Sequence, residues 1–183
     1  MQTINNENIK IKDNFLEQEK FDEIQNIMAG KAFPWYFRYR HYSLHKYSDA
    51  PADELDKFQF AHVFYDHDAA VSSFFKLLFP ILELLQPVSV FMIRANLLTR
   101  IPILVENPFH SDMEFLLEEK RKQWTTSIFY MNTNDGYTAF EDGMKVESVA
   151  NRMVSFPANT KHMGTSCTDK QKRIIINFNY FIQ

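Results

Sequence analysis

From residue 88 to the C-terminus, apolar residues recur at every second position and are cut into short runs by tight turns. A helix repeats near 3.6 residues, whereas a strand sends residues i and i+2 to one face, so this half of the chain cannot be a helical bundle. Residues 88–98, 125–131, 137–140, 144–146, 152–156 and 173–181 are the predicted strands. Asn134-Asp135-Gly136 and Asp142-Gly143 have the composition of hairpin turns in which glycine supplies a positive φ, and Pro157-Ala158-Asn159 is a further turn signal. Many short strands with tight turns predict a mainly β chain built as a sandwich or barrel. The variant favoured is the jelly roll, a cupin-like double-stranded β-helix.

The first half supplies flanking helices. Asn14 to Glu17 has the form of a capping box, and Phe21, Ile24 and Ile27/Met28 then follow at helical spacing up to Gly30. Residues 33–43 and 58–65 are aromatic and β-prone. Asp68 is expected to open a second helix with Val71, Phe74, Phe75 and Leu78 on one face, kinked or split at Pro80. No repeat, low-complexity tract or linker interrupts the sequence. Residues 1–183 therefore read as a single domain, with 1–87 as helical and β support and 88–183 as the core that carries the site.

Composition narrows the function. With 45% hydrophobic residues over 183 positions, and 18 Phe against 4 Gly, the chain can bury a sizeable packed core. A net charge of −3 advertises neither nucleic acid nor an anionic membrane as partner. The single cysteine, Cys167, forms no intrachain disulfide, as expected in a reducing compartment. Residues 1–12 are polar, without the apolar core of a signal peptide. The greasiest stretch, 74–85, is broken by Lys76, Pro80 and Glu83 and is too short to span a bilayer. The expectation is a soluble cytoplasmic protein acting on a small molecule or peptide, with its oligomeric state left open.

His110 and Asp112 are two apart, so an extended backbone points both to one side, where they can grip one ion. A facial set of three needs a further ligand, and His162 is the best candidate. His41, His45, His62 and His67 have no carboxylate two positions on. Taken alone, the pair would read as a surface loop, with Asp112 capping residues 113–119. Arg173 follows His162 by eleven positions and opens a strand in which Arg173, Ile175, Asn177 and Asn179 alternate against Ile174, Ile176, Phe178 and Tyr180. An inward arginine on so apolar a strand is costly unless it meets an anion. Glu141 is the structural alternative; otherwise the guanidinium fork fits a ligand carboxylate. Metal ligands with a carboxylate-binding arginine describe a site for a chelating keto acid.

This order of His-x-Asp, distal His and an Arg on the last strand resembles the iron(II)/2-oxoglutarate-dependent oxygenases across roughly residues 91–181. Residues 125–132 (Thr-Thr-Ser-Ile-Phe-Tyr-Met-Asn), Phe140-Glu-Asp-Gly143 and Phe156-Pro157 resemble the prolyl-4-hydroxylase-like branch, which includes phage and marine bacterial members. The resemblance implies that His110, Asp112 and His162 ligate iron as the catalytic centre and that Arg173 holds the distal carboxylate of 2-oxoglutarate. Tyr130 would stand beside Arg173, while Arg94 and Asn96 on the first strand, and Asn177, would line the same pocket. It implies Fe(II), 2-oxoglutarate and O₂, with ascorbate as an accessory reductant. The implied reaction is hydroxylation of a C–H bond of a peptidyl, amino-acid or other small-molecule substrate, releasing succinate and CO₂.

Two rivals stand beside it. A nucleic-acid demethylase of the same superfamily would need a basic groove around Arg38, Arg40 and Arg94. A non-redox cupin-like protein could hold Zn²⁺ or Ni²⁺ on the same ligands, but it would have no evident need for Arg173. The 118–122 charge run reads as a solvated face, the aromatic and basic stretch 34–42 as an edge strand, and Cys167 as incidental.

Overall fold

The computed structural model describes residues 5–6, 8–39, 58–67 and 69–183. In chain order the elements are β1 (Asn5–Asn6), β2 (Ile9–Lys12), α1 (Gln18–Ala29), β3 (Tyr36–Tyr39), β4 (Phe58–Asp66), β5 (Ala69–Ala70), α2 (Phe79–Leu85) and β6 (Ser89–Thr99). They continue as α3 (Glu118–Arg121), β7 (Trp124–Tyr130), β8 (Tyr137–Phe140), β9 (Lys145–Glu147), β10 (Arg152–Pro157), β11 (His162–Gly164) and β12 (Lys172–Phe181).

Nine strands form one antiparallel sheet in the order β1-β2-β10-β7-β12-β6-β4-β3, with β5 paired to β4; β11-β8-β9 form a second sheet of three. This is the jelly-roll, double-stranded β-helix arrangement expected from the turns and the period-two pattern. Register then decides what each face does. Ile175 lies opposite Tyr130 and Asn96, and Asn177 opposite Ile128 and Arg94, so these side chains share the face toward the small sheet. On the other face Ile174, Ile176, Phe178 and Tyr180 join Phe129, Ile93 and Ala95 against Phe21, Ile24 and Met28 of α1 and Ile81 of α2. A second core, between the sheets, gathers Ile9, Ile11, Ile128, Tyr130, Phe140, Val146, Val154, Phe156 and Ile175.

The helices depart from the sequence expectation. Helix α1 begins at Gln18, and its N-cap Glu17 makes no side-chain capping bond. Asn14 instead adopts a left-handed φ of 50°. Tertiary contacts take the backbone that a capping box would use: Phe15 N–H donates to Asn151 O, and the Asn151 side chain bonds both the N–H and the C=O of Leu16. Phe21, Ile24 and Met28 are buried as the spacing predicts, and the helix ends at Gly30. The second helix does not run through residues 71–78. Ala69–Ala70 pairs with β4, Phe75–Leu78 is a 3₁₀ turn, and α2 starts at Phe79 with Pro80 in its first turn. There the missing proline N–H would have had no helical partner, so Pro80 opens the helix rather than splitting it. Asp68, Arg40, His41, His45 and the end of the 33–43 strand lie outside the described residues.

The Asp142-Gly143 turn does close a hairpin between β8 and β9, with Gly143 at φ 89°. Asn134-Asp135-Gly136 does not, because β7 and β8 belong to different sheets and the segment crosses between them. Of the glycines only Gly143 has a positive φ. Among the described residues no helix is long and apolar enough to cross a membrane.

Strand β2 is tied to β10 by Arg152, whose Nε and Nη2 donate to the two oxygens of Asp13 at 2.5 and 3.1 Å. That bond holds the Asp13 carboxyl below its ordinary pKa of 3.8, against a smaller opposing effect of burial. A depressed carboxyl stabilises the fold above its unfolded pKa, and the contribution disappears as pH falls through the folded value. Because the pair is partly exposed, Asp13→Asn should cost no more than about 1 kcal/mol at pH 7. Urea unfolding at pH 7 and near pH 3 checks this, with the gap between variant and wild type shrinking at the acid end.

Candidate metal centre

His110 and His162 meet through their backbones before any ligand is considered. Each N–H donates to the other's carbonyl, at 3.0 and 2.9 Å, as an isolated antiparallel bridge. The bridge puts the two imidazole rings 4.6 Å apart, centre to centre. The Asp112 N–H, two residues on, is anchored to Ala158 O at 3.0 Å. One nitrogen from each histidine and one Asp112 oxygen all lie within 4.8 Å of one another. The expected ligand set is therefore brought to one place.

The imidazoles are oriented for ligation. Nδ1 of His162 lies 3.0 Å from Thr160 O, and Nδ1 of His110 lies 3.3 Å from Pro108 O. A carbonyl can only accept, so Nδ1 carries a proton, which leaves Nε2 as the nitrogen available to a metal. The Phe156 ring meets His162 edge to face at 4.7 Å and fixes its plane. Burial, then the neighbouring His162, lower the pKa of His110, and Asp112 only partly offsets them. Burial pushes the Asp112 carboxyl upward, but His162, Asn179, His110 and Thr126 together outweigh it and hold the group below its usual range. A neutral imidazole beside an ionised carboxylate is the protonation state a divalent cation requires.

Among the described residues, Asp112 caps no backbone N–H of 113–119. Its Oδ2 accepts from Thr126 Oγ1 and from Asn179 Nδ2, both at 2.8 Å, while Oδ1 faces His110 Nε2 at 4.0 Å. Thr126 and Asn179 were not singled out by sequence reasoning. Alternation had placed Asn179 on the Arg173 face, but nothing local indicates a partner 67 residues away.

Arg173 is 1% exposed at the other end of the same strand face. Its Nε donates to Ser148 Oγ at 2.9 Å, and its guanidinium carbon stands 5.8 Å from the centre of the Tyr130 ring. The Tyr130 hydroxyl, also fully buried, donates to Thr138 Oγ1 at 2.7 Å. Glu141, the structural alternative, pairs with Lys161 on the surface instead. Between the candidate ligands and Arg173 the sheet face is polar: Arg94 faces Asn177 across β6 and β12, and Asn96 lies beside Ile175. The Oδ1 atoms of Asn96 and Asn177 are buried without a hydrogen-bond partner among the described residues.

The remaining candidates lie elsewhere. Arg38 is exposed on β3, His62 is packed among Phe33, Phe64 and Phe74 on the helical side, and Cys167 is a buried free thiol outside the histidine–aspartate cluster. Residues 118–121 form the short helix α3, from which Arg121 Nη1 donates to Ser111 Oγ at 2.6 Å. A groove of about 640 Å³ lined by Ile27, Phe33, Phe74 and Leu77 opens on the helical side, and none of the candidate ligands lines it.

Solved structures share this architecture. The non-haem α-ketoglutarate-dependent epimerase SnoN from nogalamycin biosynthesis superposes with a TM-score of 0.65 at 11% identity, over 95% of this chain and 78% of that one. SnoN is also solved in complex with Fe³⁺, α-ketoglutarate and nogalamycin RO. A Pseudomonas putida prolyl-4-hydroxylase gives 0.55 at 10% identity, over 96% and 93%. A Trichoplax adhaerens prolyl hydroxylase in complex with a hypoxia-inducible-factor peptide fragment gives 0.61 at 11%, over 95% and 83%. The sequence matches no protein-family model and no curated protein. The chain thus has the double-stranded β-helix fold found in α-ketoglutarate-dependent non-haem enzymes, prolyl hydroxylases among them.

Gly136 is needed here for space rather than for φ. A Cβ at that position would lie 2.5 Å from Ser166 O and 2.7 Å from Arg173 Cδ. At Gly164 the nearest group, Arg173 Nη1, would be an ordinary 3.7 Å away. Gly136→Ala should therefore cost about 1–3 kcal/mol in unfolding free energy as the backbone or Arg173 shifts. Gly164→Ala should cost distinctly less, and chemical denaturation of both variants makes the comparison.

Proposed function

We propose that this chain is an Fe(II)- and 2-oxoglutarate-dependent oxygenase that hydroxylates a C–H bond of a peptidyl or small-molecule substrate. The observation that carries the reading is the pairing of two features on one face of the large sheet. A two-histidine, one-carboxylate cluster closes to within 4.8 Å, and a fully buried arginine lies on the same face of β12 that supplies Asn179 to it. His110, Asp112 and His162 would hold the metal. Arg173 would take the far carboxylate of the cosubstrate, with Tyr130 beneath the guanidinium and Arg94, Asn96 and Asn177 along the floor.

The donor set fits the group. Two imidazoles and one carboxylate form a facial triad with the opposite positions open, the arrangement of non-haem iron oxygenases. The buried, unpartnered oxygens of Asn96 and Asn177 fit a polar occupant of the intervening space. Bound iron with 2-oxoglutarate and O₂ supplies the oxidant and leaves succinate and CO₂; ascorbate would serve to keep the metal reduced. The protein's part is to ligate, to orient the keto acid between the metal and Arg173, and to exclude water by the apolar walls of Ile128, Phe156 and Ile175. SnoN is α-ketoglutarate-dependent and the Trichoplax enzyme is solved with a peptide. These neighbours support the cofactor class and leave the substrate a peptide or a small molecule.

The two ends of the site separate by mutation. His162→Ala removes one of the three protein ligands and should abolish iron retention and succinate formation together. Arg173→Ala should retain iron but lower 2-oxoglutarate affinity by roughly two to four powers of ten, the usual cost of breaking a buried charge pair. Iron content, 2-oxoglutarate titration and a succinate assay on folded protein read all three. Normal 2-oxoglutarate binding by Arg173→Ala would favour the non-redox cupin-like reading.

A further inference from the structure

We infer that Asn179 and Thr126 are positioning residues that restrict Asp112 to ligating the metal through one oxygen, and so keep a coordination position open. This rests on the metal reading above. A carboxylate can bind a divalent ion through one oxygen or through both. In six-coordinate geometry three protein donors leave three positions, enough for a two-point chelator and O₂. If both Asp112 oxygens bound, only two positions would remain and a chelating cosubstrate would fill them.

The structure blocks the second mode by occupying the second oxygen. Oδ2 receives Thr126 Oγ1–H and Asn179 Nδ2–H at 2.8 Å each, which uses both of its lone pairs. The other Asn179 amide hydrogen goes to Thr126 Oγ1 at 3.0 Å, so the three side chains form a closed triangle. Among the described residues no hydrogen bond falls on Oδ1, the oxygen turned toward His110 Nε2.

The triangle is set by the sheet rather than by a ligand. Asn179 and Thr126 are direct cross-strand partners between β12 and β7. Thr126 is fully buried and Asn179 nearly so. With the Asp112 N–H fixed to Ala158 O, rotating the carboxylate to present both oxygens would break both bonds to Oδ2 at once. Both residues bond Asp112 Oδ2, so their effect passes through Asp112.

Mn(II) loaded into the protein reports how many waters the ion keeps, through its enhancement of water-proton relaxation. Thr126→Val and Asn179→Leu remove the donors with little change of volume. The double variant should still bind Mn(II), with relaxivity lowered by about one third, two waters in place of three. On addition of 2-oxoglutarate, wild type should keep one exchangeable water and the double variant about none. Thr126→Ser, which retains the hydroxyl, should behave as wild type, and Thr126→Val alone gives an intermediate value if the double variant does not fold. A folded, Mn-loaded double variant with wild-type relaxivity would overturn the inference, as would a folded variant that no longer binds Mn(II), since the pair would then create the ligand rather than restrict it. Failure of wild type itself to bind Mn(II) would defeat the metal reading and this inference with it.

Discussion

The two-residue alternation of β12 is the constraint on which the rest of the molecule depends. Its odd-numbered residues Arg173, Ile175, Asn177 and Asn179 face the small sheet, and its even-numbered residues Ile174, Ile176, Phe178 and Tyr180 pack into the helical core. The strand sits between β7 and β6 near the middle of the large sheet, so it can neither slip nor fray without breaking both ladders. A slip of one residue would bury Arg173 and Asn179 under α1 and turn four apolar side chains into the site. Burying Ile176 and Phe178 completely stabilises the fold by about 1.5–3 kcal/mol each. The energy that fixes the register is therefore generated on the face with no chemistry, and the polar face is positioned by it.

Such a division makes the polar cluster affordable. An ionised carboxylate and a guanidinium are both removed from bulk water, which is unfavourable unless each is hydrogen-bonded. Asp112 has two side-chain donors, and Arg173 has Ser148 and the Tyr130 ring. These partners come from β7, β12 and the β9–β10 connection, separate stretches of chain that meet only when both sheets are closed. The site is consequently as cooperative as the fold.

Most of the longer strands were legible in the sequence because each carries its own alternation, whereas β1, β2, β5 and β11, of two to four residues each, were not. Residues 137–140, for instance, are a strand both by pattern and in the structure. The clustering of the candidate ligands was legible for a related reason: the two-residue spacing of His110 and Asp112 is itself a geometric statement. The helix starts were not, because Asn14 and Pro80 carry local signals that tertiary contacts redirect, in one case through Asn151. The Asn134–Gly136 segment has the composition of a hairpin turn, yet Gly136 is there because Ser166 and Arg173 crowd its Cα. Asn134 Oδ1, 2.8 Å from a Cβ placed there, is local, but the two closer atoms belong to residues distant in sequence. Thr126 and Asn179 are hidden in the same way: they pair across 53 residues, and only strand order brings them to Asp112.

The two ends of the site are held by different means, and the difference bears on how it works. At the His110–Asp112–His162 end the backbone bridge between the two histidines and the hydrogen-bond triangle on Asp112 are complete within the chain, so the three side chains are gathered by the fold itself. In the middle, Asn96 and Asn177 each bury an amide oxygen that no described residue satisfies. A buried acceptor left unmade costs about 1–3 kcal/mol, so a polar occupant that donates to either oxygen recovers part of that cost on binding. Assembly of the histidine–aspartate end and occupancy of the incomplete middle therefore depend on different things. The first is set by strand register, and the second by what the occupant can offer to two asparagines on adjacent strands.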